Sequence, residues 1–136
     1  MKKVWYAPNR FESYGEEEIK AVEECLRDGW LAGFGPRSVD FEEKVAKYFG
    51  KKYGVFVNSG SSACLLALAS LDLPKGCKVI TPACTFSTTL APIIQLGFKP
   101  IFCDVNLTSY IPDIEDIIAL IDDDVKAIMV PNLIGN

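Results

Sequence analysis

The sequence predicts an α/β fold, a mostly parallel sheet with helices on its faces. Three observations carry that reading. From Tyr53 onward, strand-like runs at 53–57, 78–81, 100–104 and 125–130 alternate with helix-like runs at 62–72, 86–96 and 113–121. The runs from Lys78 to Thr81 and from Lys126 to Val130 are apolar on both sides, as in a sheet covered on both faces. The chain has 136 residues, 49% of them hydrophobic, which suits one domain with a true core.

The elements follow in order. Gly15 to Asp28 reads as an amphipathic helix. Ile19, Val22, Cys25 and Leu26 share a face, and Glu16, Glu17 and Glu18 suit the positive end of the helix dipole. Gly29 ends it, and the loop Trp30-Leu31-Ala32-Gly33-Phe34-Gly35-Pro36 reads as a helix–helix connection. A second helix is expected over Ser38–Phe49, with Phe41, Val45 and Phe49 on one face and Gly50 as its stop. Farther on, Gly97 ends one helix and Pro112-Asp113 begins the next. Pro92 inside the 86–96 run predicts a kink or a late start. The sequence ends just after a strand, which leads us to expect the front portion of a longer protein.

Composition removes several function classes. The net charge is −4 with no basic block, so phosphate-neutralising nucleic-acid binding is disfavoured. No apolar run reaches the ~20 residues that span a bilayer, and Met1–Ser13 does not read as a secretory signal. The five cysteines, Cys25, Cys64, Cys77, Cys84 and Cys103, form no CxxC pair and fit a reducing, cytoplasmic setting. Cys84 reads as a buried packing residue rather than a reactive thiol. With no histidine in the chain, zinc sites and Ser-His-Asp or Cys-His machinery are not expected within it, and no metal site is expected.

The most chemically directed segment is the turn Asn58-Ser59-Gly60-Ser61-Ser62 between a strand run and a helix. Helix N-termini carry amides without internal partners and the positive dipole end, so they hold anions. Gly60 allows close approach, while Ser61 and Ser62 add hydroxyls. The turn is neither GxxxxGK[ST] nor GxGxxG, so neither a nucleoside-triphosphate loop nor a dinucleotide fingerprint is present. Read alone, it is an anion site or simply a serine-capped helix with no ligand.

The segments from Gly15 to Gly50, Val57 to Leu71, Ile80 to Val105 and Lys126 to Asn136 together resemble the N-terminal part of the DegT/StrS-type aminotransferases, pyridoxal-phosphate enzymes acting on nucleotide-linked keto sugars. The resemblance implies the type I (aspartate aminotransferase-like) fold, truncated to the front part of its large domain. Residues 1–36 would be an N-terminal helix and loop segment and 37–136 a partial cofactor-binding domain. By the same resemblance, Gly60, Ser61 and Ser62 match the segment that cradles the phosphate of pyridoxal 5'-phosphate (or pyridoxamine 5'-phosphate). Phe86 matches the aromatic that stacks on its ring. Cys64 and Cys103 depart from the commoner Asn and Val as packing changes.

Asp104 is not the acid that pairs with the pyridinium nitrogen. In the family that aspartate lies in a later Asp-x-x-His/Gln segment that these residues do not reach. Asp104 instead reads as capping a turn with Asn106 and Thr108. The lysine that covalently holds the cofactor also has no match here, and Lys75, Lys78 and Lys99 read as solvated. No catalytic residue is therefore assigned. The implied activity of the full-length protein is transamination with a nucleotide sugar and an amino donor, in a homodimer, with no nucleic acid or membrane involved. The Pro92–Gly97 and Leu133–Asn136 segments lean toward the sugar 3-dehydratases of the same fold, which replace that lysine with histidine and use pyridoxamine phosphate. A non-catalytic remnant or binding module is the third class.

Overall fold

The computed structural model describes residues 14–135 and divides the chain into two compact units, one ending at Phe56 and the other beginning at Val57. The reading of Met1–Ser13 lies outside the described residues.

The first unit holds α1 (Glu16–Asp28) and α2 (Pro36–Tyr48). α1 starts where the acidic run predicts. Glu18 accepts a 2.7 Å hydrogen bond from the Gly15 amide, which holds its carboxyl below the usual carboxylate range. Gly29 closes the helix in the left-handed region (φ 70°), a conformation that glycine adopts without a Cβ penalty. α2 begins two residues before the expected Ser38, with Gly35 as N-cap and Pro36 as the first helical residue. Of its residues only Ala46 is buried. Phe41, Val45 and Phe49 stay exposed, although Phe41 meets the Phe56 ring edge-to-face at 5.5 Å.

The expected strand at 53–57 does not form. Its residues join no ladder among the described residues, and the Phe56 amide goes to Glu42 Oε1 at 2.6 Å. A strand needs a neighbouring backbone to accept its row of amides, and here a side chain takes one of them.

The second unit runs α3 (Gly60–Ala69), β1 (Lys78–Pro82), α4 (Ser87–Gln95), β2 (Lys99–Cys103), α5 (Ile114–Ala119) and β3 (Val125–Ile128), then a short 3-10 turn at Leu133–Gly135. The three strands are parallel in the order β2-β1-β3, with Ile80 between Ile101 and Ile128. β3 is shorter than the expected 125–130. α4 starts at Ser87 despite Pro92 in its interior, so the late start does not occur. Val79 on β1, Leu68 on α3, Ile93 on α4, Cys77 and Phe98 form the core on one face of the sheet.

One buried polar atom is unexplained by this packing: Thr81 is fully buried, and its Oγ1 has no hydrogen-bond partner among the described residues. Lys78, at the start of β1, is not solvated as expected. It is half-buried and ion-paired to Asp122, with Asp124 at 3.5 Å.

Candidate functional site

The site grows from the first turn of α3. Ser59 takes the N-cap position with extended backbone, and its Oγ accepts from the Ser62 amide at 3.2 Å. The Ala63 amide makes the first intrahelical bond, to the Ser59 carbonyl at 3.1 Å. Two first-turn amides, those of Gly60 and Ser61, therefore have no acceptor among the described residues. The helix starts at Gly60 rather than near Ala63, so Gly60, Ser61 and Ser62 are its first three residues. Their amides point along the axis, at the positive end of the helix dipole.

The hydroxyls divide their roles. Ser62 Oγ donates to Asn58 Oδ1 at 2.7 Å, and Ser59 Oγ donates to Ser62 Oγ at 3.2 Å. The Ser62 proton is thus committed inside the turn, which leaves Ser61 to reach outward. Gly60 has ordinary helical backbone, and a Cβ built on it meets nothing within 4 Å. Neither backbone conformation nor packing within the chain demands a glycine there.

α4 brings the second part. It follows β1 directly, so its N-terminus sits at the carboxyl end of the central strand, the end where open α/β sheets bind ligands. Ser61, Ser62 and Leu65 of α3 share a cavity of about 280 Å³ with Thr88, Ala91, Pro92 and Gln95 of α4. The first turns of the two helices therefore lie side by side at that end of the sheet. Phe86 is the N-cap residue of α4, 72% exposed and outside the lining of this cavity. It is not a core aromatic. Cys84, two residues earlier, is exposed rather than packed, because the turn leaving β1 carries it off the sheet.

The remaining candidates have local roles. Asn106 Oδ1 accepts from the Thr108 amide at 2.9 Å and from its hydroxyl at 2.6 Å, and Asp104 Oδ1 accepts from the Val105 amide at 2.8 Å. Asn106 and Thr108 thus form the expected turn, whereas Asp104 bonds only the adjacent amide and does not cap it. Burial pushes the Cys103 thiol up, aided by Asp116, Asp104 and Asp113, so it sits protonated in the core. Sequence reasoning missed the spent hydroxyl of Ser62, whose signal was Asn58 four residues before it. It also missed Thr88 and the Thr85–Thr89 pair, where the excess of threonine around Phe86 was the available cue. Among the described residues no helix is long and apolar enough to cross a membrane.

A model of the DegT/DnrJ/EryC1/StrS aminotransferase family matches residues 12–136. The chain belongs to this family. Within it, the chain is 37% identical over 130 residues to GDP-4-keto-6-deoxy-D-mannose 3-dehydratase of Escherichia coli O55:H7, covering 91% of this chain and 33% of that protein. It is 35% identical over 114 residues to UDP-4-amino-4-deoxy-L-arabinose–oxoglutarate aminotransferase of Shewanella sediminis, covering 84% and 29%. The solved structure of E. coli GDP-4-keto-6-deoxy-D-mannose-3-dehydratase with bound hydrated PLP superposes with a TM-score of 0.79 at 36% identity, over 86% of this chain and 31% of that one. The chain thus spans about a third of the length of these DegT-family relatives. The expected fold class, the front part of the large domain with a parallel sheet and flanking helices, is the one found.

Proposed function

We propose that this chain supplies the phosphate- and ring-binding part of a pyridoxal-phosphate-dependent aminotransferase acting on a nucleotide-linked keto sugar. The observation that carries the proposal is the capped α3 N-terminus, where the Gly60 and Ser61 amides have no acceptor among the described residues and Gly60 leaves open space in front of them. Those residues fit a phosphate ester. The two amides and the Ser61 hydroxyl would hold its oxygens, with Ser62 fixing the turn through Asn58. Phe86, exposed at the carboxyl end of β1, would present its ring face to the cofactor's pyridine. Bound there, the cofactor supplies an electron sink for chemistry at an amine-bearing carbon. In this reading residues 37–136 belong to the large domain, and all four contacts lie in the unit beginning at Val57. The full-length enzyme works as a homodimer in the cytoplasm. The odd set of free cysteines suits a reducing compartment.

Weak binding by these 136 residues follows from magnitudes. Two or three charge-assisted hydrogen bonds contribute about 3–9 kcal/mol, and stacking about 1 kcal/mol. Association costs at least about 4 kcal/mol. Mid-range values then give an affinity of about millimolar, and the chain alone turns nothing over. Titration with pyridoxamine 5'-phosphate, which has no aldehyde to react with surface lysines, tests this by amide chemical shifts. Shifts clustered at Gly60–Ser62 and Phe86 are expected, whereas shifts elsewhere, or micromolar affinity, would sink it.

A second reading has a specific basis, because 3-dehydratase and aminotransferase relatives match at near-equal identity. The same residues would hold pyridoxamine phosphate in a nucleotide-sugar 3-dehydratase. Incubating the full-length enzyme with a nucleotide-linked 4-keto sugar and glutamate separates the two. An amino sugar product supports the first, and a 3-deoxy product supports the second.

A further inference from the structure

Phe86 poses a problem of placement. At 72% exposure its ring gains little orientation from packing, and its side chain cannot cap the helix it begins. An N-cap position favours Ser, Thr, Asp or Asn, whose oxygen satisfies a first-turn amide. Here a threonine stands one residue upstream, and its hydroxyl serves no amide. Thr85 Oγ1 donates to Thr89 Oγ1 at 3.0 Å, while the Thr89 amide donates to the Phe86 carbonyl at 2.9 Å. Thr89 is buried, so this end of the arrangement is anchored. The other end of the loop is anchored as well, by the Ala83 amide on the Cys103 carbonyl of β2 at 2.8 Å.

We propose that Thr85 and Thr89 are positioning residues, a hydroxyl latch that fixes the backbone from which the Phe86 ring projects. The bond ties the residue before Phe86 to the helical turn after it. A sequence selected for α4 alone would put the threonine at position 86, where it caps. Setting it at 85 gives up that cap and immobilises an exposed aromatic instead. An aromatic held before its ligand arrives loses less freedom on binding, so the latch acts through preorganisation. The inference rests on reading Phe86 as the ring-stacking residue, but the latch itself is measurable without any ligand.

The first test is the heteronuclear NOE of the Phe86 amide in the free chain. Thr85→Val and Thr89→Val should lower it, while Thr89→Ser, which keeps the hydroxyl, should restore it. The amide shifts of α4 beyond its first turn should hold in all three. Because Thr89 is buried, Thr85→Val decides the matter if Thr89→Val fails to fold. An unchanged NOE in Thr85→Val overturns the latch. The second test compares pyridoxamine phosphate with inorganic phosphate. Thr85→Val should weaken the first by about 2- to 5-fold, no more than loss of the ring itself, leave the second unchanged, and have no further effect in a Phe86→Ala background. Equal weakening of both ligands would overturn a role directed at the ring. If the unaltered chain binds no pyridoxamine phosphate at all, the cofactor reading fails, and the NOE still decides the latch.

Discussion

The Ser62 amide donates to Ser59 Oγ at 3.2 Å, so the α3 terminus is capped at its third residue and open at its first two. That one bond separates the stabilising part of the turn from the part available to an anion. Ser59→Ala should therefore cost about 1 kcal/mol of stability without weakening phosphate binding, since it releases a third amide. Thermal melts and phosphate titration of the variant check both halves, and a loss of phosphate affinity would contradict the division.

Two glycines should respond oppositely to alanine. A Cβ on Gly54 would sit 2.5 Å from the Glu42 carbonyl oxygen, a backbone atom that cannot step aside cheaply. Gly54→Ala should destabilise the unit ending at Phe56 by about 1–3 kcal/mol. A Cβ on Gly60 meets nothing, and alanine favours helix, so Gly60→Ala should keep or slightly raise stability. It should nevertheless weaken pyridoxamine phosphate, because the methyl would stand where the phosphate approaches. Paired melts and titrations read this contrast.

Phe86→Ala removes an exposed ring, so its melting temperature should stay within error of the parent. Pyridoxamine phosphate affinity should fall by about 1 kcal/mol, roughly fivefold, with inorganic phosphate unaffected. A drop in melting temperature would mean the ring packs against the chain and is no free platform.

The Lys78–Asp122 pair predicts a two-sided pH response. The hydrogen bond it accepts from Lys78 holds the Asp122 carboxyl below the usual carboxylate range, so this contribution is present at neutral pH and is lost as pH falls through the lowered value. Donating to the Asp122 carboxylate raises the Lys78 ammonium above its ordinary value, so its contribution is present below that ordinary value and is lost as pH rises through the raised one. Lys78→Met should flatten both limbs of a stability–pH curve. An acid limb that survives unchanged would assign it to other carboxylates.

Thr81 holds a fully buried hydroxyl without a partner among the described residues. Valine keeps the shape of threonine and removes the unsatisfied group. Thr81→Val should stabilise by about 1 kcal/mol, raising the melting temperature by about 3–6 °C. A lower melting temperature would show that the hydroxyl is satisfied in solution.

Much of this was legible in the residues. The alternation of elements, the parallel sheet, the glycine stop of α1, the Asn106–Thr108 turn and the serine-capped helix start at Asn58–Ser62 all depend on neighbours a few positions apart. Local propensity and periodicity report such relationships directly. The order of segments also carried the family resemblance, because each segment keeps its own local pattern.

What only the tertiary structure decided involves partners distant in sequence. Lys78 looked solvated because Asp122 lies 44 residues away, brought alongside when β3 pairs with β1. The 53–57 run has strand composition, yet a strand is a relation between two backbones, and Glu42 takes its Phe56 amide instead. Residue type could not say that Cys84 and Phe86 leave the sheet while Thr81 is sealed within it, since burial depends on where β1 ends. The sequence by itself determined that a serine-capped turn opens a helix. The fold decided which two amides stay open, and which aromatic stands exposed at the same end of the sheet.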